Sequence, residues 1–348
     1  MPRSVRHEYE EAVYHVMCRG NNGQSIFEPA FPTGGPESKA VIGKKEDGQR
    51  LFLSTLEEAC LQTGWRIHAY VLMSNHYHIL LETPEANLVA GMKWFQGTYT
   101  QRFNAMFKCR GHLFQGRYKA LPVEADSGYF RAVGNYIHLN PFRAGLAGEG
   151  LEKPLEAYEW SSYPAYAGRC RKVLKGLAQE RLLSACGIDP MSSTRRETYR
   201  SQMIFKMRGE TEFDAMEDLT EKQLKRGWFI GGEEFRKWLA QQLPGTGDNL
   251  RGEQRTAHDE CEAERLLGAV LSALNMTEED FLKLKFNSLE KQVAAWLLKR
   301  HTTVTAVWLA DRLHMGARSN VSRALTAITR GSDAKCRELK EKMTQCTG

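Results

Sequence analysis

The amino-acid sequence predicts an α+β domain followed by a mainly α-helical C-terminal region. Over about 140 residues, segments with strand composition are interspersed with segments that repeat apolar residues every three or four positions, which fits a sheet covered by helices. From Glu260 onward the helical repeat continues with few interruptions. We therefore expect a first domain at residues 1–168, a connecting helical region and linker at 169–250, and a helical domain at 251–348.

Three strands and one helix are expected before Pro84. The strand segments are rich in β-branched and aromatic residues and are bounded by turn-forming residues. They lie at residues 12–18, 65–73 and 76–82. Residues 51–63 carry apolar side chains at helical spacing and should form a helix. Residues 29–48, rich in glycine and proline, are expected to form an exposed insertion.

Two more helices and a second strand region complete the first domain. Apolar side chains recur at helical spacing over residues 88–106, which predicts a helix. Residues 111–124 are expected to form two short strands. A third helix should begin after Ser127, a good N-cap residue, and end at Pro141, because proline lacks the N–H that continues a helix.

The C-terminal region has the pattern of a helix-turn-helix. Two helical segments, 305–313 and 319–328, are separated by the short turn His314-Met-Gly316. Residues 295–348 contain 10 basic and 4 acidic side chains, which is typical of a nucleic-acid-binding module and equally of a solvated charged face. The segment Pro244-Gly-Thr-Gly-Asp248 is the candidate linker before this region.

The amino-acid composition is typical of a globular protein without membrane spans or a disulfide framework. The 348 residues are 42% hydrophobic and 26% charged, which is ordinary for a globular protein with a real core. No apolar run reaches the roughly 20 residues of a membrane span, and the first residues lack the apolar segment of a signal peptide. The eight cysteines are scattered without CxxC pairs, which indicates reduced thiols. We expect a cytoplasmic protein without a membrane partner.

Two histidines are candidates to bind a metal ion. His76 and His78 are two positions apart in a predicted strand, so their side chains point to the same face, and Tyr77 points to the other. Two neutral imidazoles bind a divalent cation when oxygen ligands complete its shell. The same pattern is also typical of two buried, hydrogen-bonded histidines, and the residues alone leave both interpretations open.

A tyrosine and an asparagine lie four positions apart on the predicted third helix. Tyr136 and Asn140 share a helix face, and His138 does not. A tyrosine phenol attacks a phosphodiester once its proton is removed and the phenolate is stabilised, which a nearby cation helps to do. A core position is the other interpretation of Tyr136, because Val133 and Ile137 are its neighbours on an amphipathic helix.

Several polar and basic residues are candidates to contact DNA. In the first domain they are Arg102, Arg117, Lys119 and Arg143, and in the helix-turn-helix they are Arg318, Ser319, Asn320 and Arg323. The second group falls at the start of the expected recognition helix, where side chains reach base edges and phosphates. Solvated surface explains many of these positions equally well. Structural or surface roles are expected for His15, His68, His112 and His138.

Five short motifs occur in a defined order along the first 168 residues. They are Arg19-Gly-Asn-Asn, the HUH motif His76-Tyr77-His78, the segment from Gly111 to Tyr118, the segment from Tyr136 to Pro141, and Trp160-Ser-Ser-Tyr163. In these motifs the chain resembles the REP-associated tyrosine transposases, relatives of the small single-tyrosine HUH transposases. It departs from that pattern in the longer insertion at 29–48 and in its additional C-terminal region.

The resemblance implies a ferredoxin-like antiparallel sheet with the paired histidines on a central strand. It implies Mg²⁺ or Mn²⁺ bound by His76 and His78, with Asn140 at the place of a third polar ligand. Tyr136 would cleave single-stranded or hairpin-flanking DNA through a 5′-phosphotyrosyl intermediate, in DNA transposition or repeat mobilisation. The implied partner is hairpin repeat DNA, with a homodimer possible and the nucleoid as the site of action.

Two other functions compete with this one. The first is a sequence-specific DNA-binding protein, a domesticated transposase with little or no cleavage. The second is a zinc hydrolase built on His76 and His78, which needs a third strong protein ligand.

Overall fold

The computed structural model describes seven ranges of the chain. These are residues 7–29, 45–170, 172–209, 223–224, 227–242, 252–330 and 334–345. Contacts between residues divide the chain into two compact units, one within 6–232 and one within 233–348. The candidate linker at 244–248 and most of the insertion expected at 29–48 lie outside the described residues.

The first unit is built on one four-stranded antiparallel sheet. Its strands are β1 (Ala12–Arg19), β2 (Arg66–Leu72), β3 (His76–Thr83) and β4 (Lys119–Val123). Their order in the sheet is β2-β3-β1-β4, so β3 and β1 are the central pair. The register places Met17 of β1 opposite His78 of β3. The expected α+β fold, with the two histidines on a central strand, is confirmed.

Helices lie on both faces of this sheet in the described part of the unit. They are α1 (Lys45–Thr63), α2 (Leu88–Phe107), α3 (Gly128–Arg143), α4 (Tyr163–Tyr166), α5 (Glu180–Ala185) and α6 (Arg195–Arg208). Helices α1 and α2 bury aromatic side chains such as Phe52 and Phe95 against one face of the sheet, together with Tyr77 of β3. Helix α3 covers the other face with Phe130 and Ile137. Because strand side chains alternate, the face that holds Tyr77 is opposite the face that holds the two histidines.

Two local predictions about the first unit are wrong. Residues 111–118 contain no strand; Phe114 makes only an isolated bridge with Gly20, and Gly116 turns the chain at φ +70°. The helix expected to end at Pro141 continues to Arg143. Proline is tolerated there because it lies in the last turn, where few hydrogen bonds depend on it, and the N–H of Ala144 still reaches the carbonyl of Asn140.

Helix α5 packs closely on α3 in the first unit. Gly134 makes this approach possible, because a Cβ at that position would lie 2.5 Å from Leu182. Helix α6 also contributes Tyr199 and Met203 to the core beneath α3. The residues expected to form a connecting region thus extend the hydrophobic core of the sheet as far as Ile230. The functional division of the chain into three parts stays a prediction.

The second unit is helical. Its helices are α7 (Glu233–Gln241), α8 (Gly252–Leu274), α9 (Glu278–Lys283), α10 (Leu289–His301), α11 (Ala306–Arg312), α12 (Arg318–Arg330) and α13 (Ala334–Gln345). The side chain of Thr305 caps α11, and Gly316 turns the chain before α12 at φ +75°. Leu309 and Val321 are fully buried in the core that these helices share. The two helices therefore lie where the sequence pattern predicted them.

Two further expectations concern membranes and thiols. In the described part of the chain, no helix combines the length and apolar character needed to cross a membrane. The seven cysteines that the structure describes are free.

Candidate functional site

The two histidines of β3 lie side by side on the face of the sheet that α3 covers. The centroids of the His76 and His78 rings are 5.1 Å apart, with the ring planes nearly perpendicular. His78 is buried, whereas His76, nearer the end of the strand, is partly exposed. One ring therefore faces protein and the other borders solvent, where a substrate can enter.

Tyr136 lies against this pair. Its ring centroid is 5.8 Å from that of His78, and the two rings meet edge to face. Tyr136 is partly exposed and also packs against the buried residues beneath α3, so both interpretations of this residue describe part of its environment. The tyrosine and the histidines belong to the same chain, so one subunit brings them together.

A third histidine belongs to the same cluster. Nε2 of His15 lies 2.9 Å from Nδ1 of His78, the rings stack at 5.0 Å, and His15 is fully buried. Its ring centroid is also 6.1 Å from that of Tyr136. From the sequence we expected a structural or surface role for His15. Its contact with His78 was not predicted, because it depends on the pairing of β1 with β3. The feature of the sequence that could have indicated this contact is a histidine in a predicted strand that pairs with the strand of His76 and His78.

Asn75 holds the ring of His76. Nδ1 of His76 lies 2.8 Å from Oδ1 of Asn75, and Nδ2 of Asn75 donates to the carbonyl of Gly23 at 3.0 Å. The second bond fixes which way the amide points. Because an amide oxygen only accepts, His76 carries its proton on Nδ1, and its Nε2 keeps a free lone pair.

Burial keeps these imidazoles neutral. Burial lowers the pKa of His78 well below its usual value, and the neighbouring His15 and His76 lower it further. Burial also lowers the pKa of His15 to about 3. Burial and then the guanidinium of Arg19 lower the pKa of His76. The neutral form that binds metal ions therefore predominates at pH 7.

The donor set fits a loosely held divalent cation better than a structural zinc ion. Asn140 is buried, and its Nδ2 donates to the carbonyl of Tyr136 at 2.9 Å, which leaves Oδ1 as the group able to accept or ligate. Among the described residues, no three His, Cys, Asp or Glu side chains lie where they could share one ion. Two imidazoles and an amide leave coordination positions for water and phosphate, as a catalytic Mg²⁺ or Mn²⁺ site requires.

The basic residues predicted in the first unit have different environments. Arg143 lies over the ring of Tyr136, with its Cζ 4.8 Å from the ring centroid. Arg117 is exposed, and Nζ of Lys119 donates to the carbonyl of Leu224 at 3.2 Å. Arg102 makes two hydrogen bonds, of 2.7 and 2.8 Å, to the carboxylate of Glu58. This pair joins α2 to α1, which favours a structural role for Arg102.

The predicted DNA contacts of the second unit lie at the start of α12. Arg318, Ser319 and Arg323 are exposed. Nδ2 of Asn320 donates to the carbonyl of Met315 at 2.9 Å, so this side chain holds the turn before the helix.

Three of the recurring motifs meet at the end of the sheet where His76 lies. The N–H of Gly20 donates to the carbonyl of Asn75 at 2.8 Å, and the N–H of Gln115 donates to the carbonyl of Arg19 at 2.8 Å. The exposed Arg19 is thus close to His76, and the sequence analysis did not predict this proximity. Motifs distant in the sequence therefore form one rim beside the histidines.

Comparison with known families agrees with this geometry. Residues 36–140, which include the histidine pair, Tyr136 and Asn140, match the family model described as Transposase IS200 like. In this segment the chain is similar to the IS200-like transposases. This match agrees with the resemblance to single-tyrosine HUH transposases that the motifs carry.

The chain was also compared with solved structures and with curated proteins. The chain is similar to a solved structure described as "Structure of the REP associates tyrosine transposase bound to a REP hairpin". The TM-score is 0.38 at 12% identity, over 51% of this chain and 93% of that chain. No curated protein matches the chain.

Proposed function

We propose that the first unit cleaves and rejoins single-stranded or hairpin-flanking DNA, with Tyr136 as the nucleophile and His76 and His78 as ligands of Mg²⁺ or Mn²⁺. The observation that carries the proposal is the edge-to-face contact of Tyr136 with His78, 5.8 Å between centroids, on the covered face of the sheet. A nucleophile and the ligands of an electrophilic cation then face the same phosphate.

In the cleavage step the phenolic oxygen of Tyr136 attacks phosphorus, and the bond from phosphorus to the 3′ oxygen breaks. The phenol loses its proton to solvent and the 3′ oxygen gains one, which leaves a 5′-phosphotyrosine and a free 3′-hydroxyl. When bound, the cation polarises the phosphate as a Lewis acid. Attack by a 3′-hydroxyl on the phosphotyrosine reverses the step and rejoins the strand, because the ester bond is conserved.

Arg143 supports the same step. Its guanidinium lies over the Tyr136 ring at 4.8 Å, so a fixed positive charge is beside the phenol when the oxygen becomes anionic. Because the buried His78 is neutral, it carries no positive charge that would repel a metal ion. The charges of the site are thus arranged for an anionic nucleophile and an anionic substrate.

The second unit is proposed to bind duplex DNA through α12. Arg318, Ser319 and Arg323 are exposed near its N-terminus, where a recognition helix contacts the major groove. Hairpin repeat DNA offers both the duplex for this unit and the flanking single strand for the first. We expect the protein to act at the nucleoid. A homodimer stays a prediction.

The test is covalent capture of DNA. The protein is incubated with end-labelled single strands from the repeats that flank its gene, with Mg²⁺ or Mn²⁺, and adducts are separated on a denaturing gel. We expect an adduct that EDTA abolishes and that Tyr136→Phe lacks. The matched control is Tyr129→Phe, which removes the hydroxyl of a different, buried tyrosine of the same helix.

The competing DNA-binding function makes a different prediction. Hairpin binding without an adduct, with both metals and several repeats, would favour a domesticated DNA-binding protein. The zinc hydrolase is not favoured, since the described residues offer no third strong ligand beside the pair.

A further inference from the structure

We infer that Asn75 and His15 are positioning residues: they hold the ring protons of His76 and His78 on Nδ1 and so leave both Nε2 atoms unprotonated and able to bind a cation. The inference rests on the proposed function, because it concerns how the proposed ligands are made ready. It assigns roles to two residues that do not themselves bind the ion.

The contact of Asn75 with His76 has only one chemical meaning. The amide is oriented by its Nδ2 bond to the carbonyl of Gly23, so its oxygen faces Nδ1 of His76. That nitrogen must be the donor, which leaves Nε2 unprotonated. A ligating histidine generally donates its other ring N–H in this way, which fixes the ring and raises its basicity.

The contact of His15 with His78 has two possible directions, and they have opposite consequences. If Nδ1–H of His78 donates to Nε2 of His15, Nε2 of His78 is free to bind a cation. If His15 donates instead, the proton of His78 is on Nε2 and blocks it. A cation on Nε2 therefore requires the first direction, in which His15 is the acceptor.

As the acceptor, His15 carries its own proton on Nδ1, a buried donor that is unpaired among the described residues, so the cation on His78 must supply the preference for this direction. The ring of His15 is fully buried, and within the described residues its Nδ1 has no hydrogen-bond partner, so the bond to His78 is the contact that fixes its ring. His15 is not a third ligand, because no three such side chains in the described ranges could share an ion. The two strands thus carry a ligand on β3 and its hydrogen-bond partner on β1.

The first experiment measures cation affinity without using activity. Free Mn²⁺ is titrated by electron paramagnetic resonance against the full-length protein and its variants. We expect the Kd for Mn²⁺ to rise about 10- to 100-fold in His15→Phe and in Asn75→Ala. His15→Gln and Asn75→Asp, which keep an oxygen acceptor, should recover much of the affinity. Met17→Leu, opposite His78 on β1, is the control and should not change the Kd.

The second experiment observes the protons directly and does not depend on any variant folding. Long-range ¹H–¹⁵N spectra of the wild-type protein with saturating Mg²⁺ should show His76 and His78 protonated on Nδ1. A proton on Nε2 of His78 under these conditions overturns the inference.

The outcomes separate this inference from the proposed function. If Mn²⁺ binding does not depend on His76 and His78, the proposed metal site is wrong and the inference is overturned with it. If binding requires both histidines yet is unchanged in His15→Phe and Asn75→Ala, the metal site is supported and only the positioning roles are wrong.

Discussion

At the scale of the residue, the candidate site is a cluster of neighbouring rings in which His78 contacts both His15 and Tyr136. Period-two alternation places His76 and His78 on one face of β3, and the helical period of 3.6 places Tyr136 and Asn140 on one face of α3. His15 and Asn75 were not predicted as partners, because their contacts depend on strand register and on a loop bond to Gly23. Such contacts leave no periodic signal.

His138 lies on a different face of α3 from Tyr136 and Asn140. It is fully buried, and its ring nitrogens lie 2.7 Å from the hydroxyls of Tyr199 and Ser162. The expected structural role therefore agrees with its position away from Tyr136. Burial lowers the pKa of His138 to about 3.

This shift predicts a pH dependence of stability. In the unfolded chain a histidine has a pKa of about 6.5. Below that pH the unfolded state binds a proton that folded His138 does not, so the free energy of unfolding falls as the pH falls from 6.5 towards 3. Between pH 7 and pH 5 this residue should remove about 2 kcal/mol.

The measurement is urea unfolding of the wild type and of His138→Gln at pH 7 and pH 5. The glutamine keeps hydrogen-bonding groups and cannot titrate, so the variant should lose about 2 kcal/mol less than the wild type over this range. Equal losses in the two proteins would mean that folded His138 accepts a proton near its ordinary pKa.

At the scale of the element, the pattern predicted which segments are strands and helices but was less reliable where glycine and proline occur. The segment around Gly116 contains β-forming residues, yet its backbone hydrogen bonds to Arg19 and Asn21 form only an isolated bridge between Phe114 and Gly20. Pro141 fits the last turn of α3. At Gly116 tertiary contacts outweighed local propensity, whereas Pro141 is tolerated because of its position near the end of the helix.

At Gly134 the helix propensity of alanine and the close packing of Leu182 have opposite effects on the free energy of unfolding. In the middle of a helix, glycine to alanine normally stabilises by about 0.5–1 kcal/mol. At Gly134 the added Cβ would lie 2.5 Å from Leu182 of α5, so we expect Gly134→Ala to destabilise by about 1–3 kcal/mol.

Gly97 is the matched control, since it lies in α2 and its Cβ would meet nothing within 4 Å. Gly97→Ala should stabilise the protein by about 0.5–1 kcal/mol. Urea unfolding of both variants gives the comparison. A stabilising effect at Gly134 would show that α5 does not pack against α3 as closely as the structure indicates.

At the scale of the whole molecule, the chain consists of two compact units to which separate tasks are proposed. The first contains the sheet, the histidine pair and Tyr136, and the second contains α11 and α12. If the tasks are separate, duplex binding and strand cleavage should respond to different substitutions.

The double variant Arg318→Ala/Arg323→Ala tests this separation. Loss of two exposed cations from α12 should weaken binding to hairpin DNA and make the dependence of log K on log salt shallower by about 1 per lost phosphate contact. Adduct formation on a saturating short single strand should persist. Fluorescence anisotropy in a Tyr136→Phe background measures binding, and the denaturing gel measures cleavage.

Lys283→Ala is the control for general loss of charge, because Lys283 lies on α9 and pairs with Glu279. It should leave hairpin affinity nearly unchanged. Equal weakening by Lys283→Ala and by the double variant would contradict a specific role for α12.

The sequence by itself determined the class of fold, most of the strands and helices, and the faces on which His76, His78, Tyr136 and Asn140 lie. These depend on local periodicity, which a chain expresses wherever it is placed. Only the tertiary structure decided that Tyr136 meets His78 within one chain, that His15 is the partner of His78, and that Arg102 is bound by Glu58. Those contacts join residues 44 or more positions apart, and their geometry comes from strand pairing and helix packing.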